Sequence, residues 1–417
     1  MPIAACVLAS ILAVGSNDDL VDRPLRSKIT RVQPMTGIAL WTTNPKNAVD
    51  AIQLEFAYVG YDDVVGADGS YDWSRVEKIL DGVASREHQA ILRFHDTYVG
   101  RETRVPASIK SRTDYRETVG TSEGKRTVFP DWSCAAWRDL VVDFYGKLAA
   151  KYDGDPRLAF LQTGFGLWSE YHIYEGPMKL GATFPSLEFQ DRFLRRIDGL
   201  FKRTPWMISI DAGEASRSPI VASRELLALD FGLFDDSFNH ADHASYNGKM
   251  WRALGADRWK RAPMGGEFSF YTRRDQTHAL DPMGPHGRSF ESEAARFHLS
   301  FIIGDSQPRH QSLERVAEAG RACGYRFRVV RFASNSHVTE VAIRNVGVAP
   351  IYRDAYPTVD GKRAVESLVG LEPGETRTYR IMSGGESPRL QITSDQILPG
   401  QVIEFEAELS ETQDRTK

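Results

Sequence analysis

Eight short apolar runs recur along the first three quarters of the chain, and most are separated by segments with apolar residues at helical spacing. That alternation limits the fold more than any other feature. Parallel strands need long crossover connections, usually helices, and their sheet is buried on both faces. The runs are residues 36–41, 51–59, 89–96, a fourth opening at Leu158, then 205–211, 231–238, 263–269 and 299–305. Helical patterns fall at 72–80, 136–151, 186–202, 219–229, 249–254, 290–298 and 313–323. The stripe Phe189, Phe193, Ile197 and Leu200 shows the period well. Together these predict an α/β fold, a (β/α)8 barrel.

Beyond Tyr325 the period changes from helical to alternating. Residues 326–330, 339–344, 376–381 and 402–407 read as strands, punctuated by turns such as Asp360-Gly361 and Glu372-Pro373-Gly374. They predict a small C-terminal antiparallel β-sandwich. Three segments follow: an N-terminal stretch 1–30, a catalytic barrel 31–324 and a sandwich 325–417. A chain of 417 residues is long enough for both cores.

Residues 1–15 are uncharged and mostly apolar, and Ala13-Val14-Gly15 has the form of a cleavage site. A secreted or periplasmic protein is expected; the missing basic n-region makes a cytoplasmic one the alternative. The Ile3-Ala4-Ala5-Cys6 run looks like a lipobox but lies too near the start to have an apolar segment before it. The stretch is too short for a membrane span. A net charge of −4 gives no pull towards nucleic acid. Three widely spaced cysteines form neither a disulfide framework nor a zinc pattern.

The chemistry concentrates where apolar runs end. The fourth runs through Gly164 and Gly166 into Trp168-Ser169-Glu170-Tyr171-His172, and the seventh ends Gly265-Gly266-Glu267. In a closed barrel such ends meet across one mouth. Breaking a glycosidic bond needs one carboxyl group to protonate the leaving oxygen and a second to attack carbon or activate water. Glu170 and Glu267 are the candidate catalytic pair. The plainer alternative is two ordinary rim glutamates. Trp168, His172, Arg93, His95, Asp236 and His240 are candidate sugar-binding residues. Alternation puts Arg93 and His95 on one strand face. Tyr61, Asp62, Tyr271 and Arg273 are weaker rim candidates.

The stretch Gly166-Leu167-Trp168-Ser169-Glu170-Tyr171-His172 resembles a G-x-W-G-E-W-H motif of a poorly characterised group of bacterial glycosidase-like barrels with C-terminal β-sandwiches. Tyr71-Asp72-Trp73 and the stretch 151–157 resemble that group too. Glutamates after strands four and seven are similar to the acid/base and nucleophile of the retaining (β/α)8 glycoside hydrolase clan. The resemblance implies a glycoside hydrolase with Glu170 as acid/base and Glu267 as nucleophile. Two positions depart from the pattern: Ser169 where the clan usually has Asn, and Tyr171 where the group has Trp. Losing the Asn would remove a hydrogen bond to the sugar 2-hydroxyl.

Ser169 therefore supports a second reading, a carbohydrate-binding barrel without catalysis. A third is a metal-dependent barrel hydrolase built on His240-Ala241-Asp242-His243, but that cluster lacks a third spaced ligand, so no metal or cofactor is expected. Residues 101–126 carry seven Lys/Arg against four Asp/Glu. Over the mouth, such a loop would favour an anionic polysaccharide, sulfated or uronic; a solvated mixed-charge loop is the plainer reading.

Overall fold

The structure, a computed structural model, describes residues 19–410. The leader-like run and Cys6 lie outside the described residues. Eight parallel strands close into a barrel: Gly37–Trp41, Leu54–Gly60, Gln89–His95, Leu158–Gln162, Trp206–Ser209, Gly232–Phe238, Met264–Phe268 and Phe301–Ile303. They are strands one to eight below. Each pairs with its neighbours in chain order, and strand eight closes on strand one through Phe301 opposite Gly37.

Alternation decides which side chains fill the barrel. Phe56, Ile91, Phe160, Met207, Phe234 and Phe301 belong to the inner core, while Leu40, Leu92, Ile208 and Ile302 belong to the outer one, under the helices. Phe160 and Phe301 stack inside at 5.1 Å. Helix Ser74–Ala84 buries Val76, Leu80 and Val83, and helix Leu187–Leu200 buries Phe189, Phe193 and Ile197, each at three- or four-residue spacing. The Ser186 hydroxyl caps the second by accepting from the Phe189 N–H at 3.2 Å.

Some connections differ from expectation. Residues 219–229 form a 3₁₀ turn, Ile220–Ala222, and a short helix, Arg224–Leu227, because the Ser223 hydroxyl caps a new start there. The helix expected at 249–254 spans Ala244–Ala253. The long stretch after strand three is ordered into helix Ala107–Lys110 and a hairpin of Thr118–Ser122 with Lys125–Phe129.

The C-terminal part has two sheets. One runs Thr376–Ile381, Thr339–Asn345, Phe327–Ser334, Phe405–Leu409 and Leu25–Ser27; Val21–Asp22 also pairs with Phe327–Ser334. The other holds Lys362–Arg363, Tyr356–Val359 and Leu390–Thr393. The sandwich is not wholly antiparallel, since Phe327–Ser334 and Phe405–Leu409 run parallel. It also takes strands from residues 21–27, within the stretch read as an N-terminal segment.

This domain closes the bottom of the barrel. Arg353, 2% exposed, donates to the backbone oxygens of Leu158 and Ala159 at the start of strand four. Gln89 at the start of strand three donates to the Gln396 carbonyl. The opposite end of the barrel stays open. Among the described residues no helix is long and apolar enough to cross a membrane.

Candidate active site

The open mouth holds a cavity of about 730 Å³, inside the roughly 300–1,000 Å³ range of small-molecule sites. Glu170, Asp236 and Glu267 all reach it, between aromatic walls that include Trp41, Tyr58, Trp168 and Tyr271. Glu170 and Glu267 come from distant parts of the chain and meet here because the barrel closes.

Under these carboxylates lies Arg93, fully buried. Its Nη1 is 2.9 Å from Glu170 Oε1 and 2.6 Å from Asp236 Oδ2, and it donates to the Tyr58 hydroxyl at 3.0 Å. Its Nε donates to Gln162 Oε1 at 2.8 Å. The guanidinium packs 4.2 Å over the Phe234 ring. Burial works against its charge, but Asp236, Tyr58 and Glu170 outweigh that and keep it protonated.

One cation cannot satisfy three buried acids. Burial pushes the Glu170 carboxyl well above its ordinary range, and the neighbouring Asp236 pushes it further; Arg93 opposes both. Burial, then Asp236, also raises Glu267 to about 8, against Arg93 and the Trp41 indole. Trp41 Nε1 donates to Glu267 Oε1 at 3.4 Å. Near neutral pH Glu170 therefore holds a proton that an ordinary glutamate would have lost, as a general acid requires.

Glu170 does not sit at a strand end, as expected. Strand four stops at Gln162, and the glutamate lies eight residues beyond, on a folded-back loop. Tyr171 N–H donates to the Phe165 carbonyl at 2.8 Å, and Leu167 N–H to that of His172 at 2.9 Å. The two glycines permit this closure. A Cβ on Gly164 would come within 2.0 Å of the Ser169 oxygen; one on Gly166, at φ +79°, within 2.3 Å of the His172 oxygen. Trp168, Ser169 and Tyr171 all have left-handed φ of 53°, 62° and 61°, each costing about 1–2 kcal/mol in an L-residue. Such strain marks a loop whose shape serves a site.

The kinked backbone aims alternate side chains in opposite directions. Tyr171 is buried in the outer core, 5.4 Å from the Phe165 ring. Ser169 is 1% exposed and donates to the Phe94 carbonyl at 2.7 Å. It does not face the cavity, so no side chain at this position offers the hydrogen bond expected of an Asn there. Trp168 and His172 do line the cavity. His172 Nδ1 lies 2.5 Å from Asp211 Oδ2, which leaves Nε2 facing Glu170 Oε2 at 3.8 Å. Burial would raise Asp211; His172, Arg217 and Tyr246 outweigh it and hold the carboxylate below its ordinary range. The ring is thereby fixed by a charge behind it.

The remaining expected residues lie elsewhere. Arg93 supports the carboxylates from below rather than lining the cavity. His95 is buried behind Tyr58 and Tyr98, with ring centroids at 5.3 and 5.7 Å. Burial, helped by Arg104, lowers its pKa to about 3, so it stays neutral. His240 points into a cluster with Asp275 and His286 beside the cavity. Tyr61 is buried against Tyr145, and Asp62 pairs with Arg104. The basic loop sends Glu123 to the cavity and none of its seven cations. Arg104, Lys110, Arg112, Lys125 and Arg126 are tied to acids, and Arg101 lies over the Tyr98 ring.

Trp41, Tyr58 and Asp211 line the cavity and were not singled out from the sequence. The parity of strands one and two, which places Trp41 and Tyr58 inward at the C-terminal rim, was the available signal. Asp211 carried none, because its role depends on a histidine from another loop.

No family profile matches the chain, and no curated protein matches it. Its barrel has distant likenesses among solved structures. An α-galactosidase from Thermus thermophilus is 13% identical over 76% of this chain and 66% of that one, at a TM-score of 0.40. The GH36 α-galactosidase AgaA from Geobacillus stearothermophilus is 11% identical over 87% and 55%, at 0.36. The family 30 xylanase Xyn30A from Clostridium acetobutylicum is 10% identical over 90% and 95%, at 0.37. The chain spans less than two thirds of the length of both galactosidases.

Proposed function

We propose that this protein is a glycoside hydrolase acting on a short, uncharged stretch of a poly- or oligosaccharide. The observation that carries this reading is the convergence of Glu170 and Glu267 on one cavity, with the Glu170 affinity for protons raised well above the ordinary. Glu170, held protonated by burial and by Asp236, donates to the leaving oxygen. Glu267, in its ionised form and accepting from the Trp41 N–H, serves as the nucleophile, with retention as the expected course; its carboxyl, raised to about 8, supplies more of that form as pH rises. His172 orients Glu170 as it changes from acid to base. The aromatic walls offer faces to sugar rings.

The electrostatics argue against an anionic sugar. Glu123, Asp211, Asp235 and Asp236 line the cavity beside the pair, while Arg217 is its only lining Lys or Arg among the described residues. The alternative, a carbohydrate-binding barrel without catalysis, keeps its support from Ser169, whose hydroxyl faces the Phe94 carbonyl and not the cavity.

The test is turnover of a panel of aryl glycosides and neutral oligosaccharides by wild type, Glu170→Gln and Glu267→Gln. Each variant should lose at least about 100-fold in kcat/KM while remaining folded, and the anomer of the first product, read by NMR, gives the stereochemistry. If both variants keep wild-type rates on a cleaved glycan, the proposal fails.

A further inference from the structure

Beside the cavity, outside the carboxylate pair, three side chains of metal-binding type converge. His240 lies just past strand six, Asp275 in helix Arg273–Thr277, and His286 in the irregular segment that follows. His240 Nδ1 is 2.8 Å from Asp275 Oδ2, and His286 Nε2 is 2.6 Å from Asp275 Oδ1. The donor atoms of the three residues lie within 4.8 Å of one another. The side chains are 9%, 2% and 22% exposed respectively. Only the His286 side is open to water.

We infer that His240, Asp275 and His286 bind one divalent transition-metal ion, of which Zn²⁺ fits the donor set best. Two imidazoles and one carboxylate are a known three-ligand set for tetrahedral zinc, with water in the fourth position. Hard cations such as Mg²⁺ or Ca²⁺ prefer all-oxygen shells. The sequence cluster His240-Ala241-Asp242-His243 lacked a third partner because the partners arrive from 35 and 46 positions further along. Asp242 itself is exposed and 3.9 Å from His240.

A second observation concerns Asn239, next to His240 at φ +66°. Both polar atoms of its amide are buried without a hydrogen-bond partner. The amide faces the loop that carries His286, since a Cβ on Gly284 would come within 3.6 Å of Asn239 Nδ2. The unsatisfied buried amide on the residue before His240 leaves hydrogen-bonding capacity there for an ion's bound water.

The ion would fasten the segment after strand seven to the turn after strand six. Both contribute cavity wall: Tyr271 packs its ring 4.9 Å from that of His240 and 4.6 Å from that of His243. Binding would replace the Asp275–imidazole hydrogen bonds with coordination. Any proton held by an imidazole is released to solvent in that exchange.

The experiment uses the untagged full-length chain, stripped with a chelator, reloaded with Zn²⁺ and desalted before elemental analysis. The expected result is about one Zn²⁺ per chain, a higher Tm on reloading, and tetrahedral d–d absorption when Co²⁺ is used instead. His286→Ala, at the most open ligand, should weaken binding at least about tenfold; His243→Ala should not. Negligible zinc on the reloaded wild type overturns the inference, as does wild-type affinity in a folded His286→Ala. Bound metal is read without any substrate, so this result stands apart from the glycosidase test.

Discussion

Arg93 carries a single positive charge and touches two of three clustered carboxyl groups, so the protons held there depend on every acid in the set. Asp236 raises both Glu170 and Glu267, second only to burial. Asp236→Asn removes that charge, and both glutamates should then release protons more easily. Activity that needs the Glu170 proton fails as pH rises through that group's raised range, and in the variant it should fail at lower pH. A pH profile of kcat/KM checks it; an unmoved alkaline limb would show that Asp236 does not tune the pair. At this scale the sequence was informative where a residue type carries its chemistry alone. Two glutamates behind glycines stood out, as did Trp168 and His172. It was silent where a role is relational. Asp211 matters only because His172 reaches it, and none of the seven loop cations lines the cavity, five of them being held by acids.

The loop carrying Glu170 is the element on which the site depends. It spends three left-handed residues to fold back over strand three, and Gly164 is its tightest point. Gly164→Ala would drive a methyl group into the Ser169 carbonyl at 2.0 Å unless the loop shifts. Displacing the loop should cost about 1–3 kcal/mol and a larger share of activity than of stability. Thermal melts set against kcat/KM check this; wild-type turnover in the variant would mean that the loop's closure does not position Glu170. The eight strands and the main helices were readable because their periods of 2 and 3.6 span enough residues to be seen. Glu170's distance from its strand was not, because an apolar run passing through glycines looks alike as strand or as buried loop. The edge strands at 21–27 are two and three residues long, too short to show a period, and their partners lie between about three hundred and four hundred residues away.

Across the whole molecule the sandwich acts as the floor of the barrel. Arg353 reaches strand four's first carbonyls from the other domain, and burial lowers its pKa to about 10. Arg353→Met leaves those carbonyls without their charged donor and should lower stability by about 2–3 kcal/mol in one cooperative transition. Calorimetry showing two transitions, with the barrel's unmoved, would contradict that unity. The same closure brings together acids 97 positions apart, and titration tests it most directly. Carboxyl groups can be followed by ¹³C NMR in wild type and in Glu267→Gln. The account predicts that Glu170 titrates well above the ordinary carboxylate range in the wild type and moves down when Glu267 is made neutral. A Glu170 midpoint that is ordinary from the start, or blind to Glu267, would contradict it.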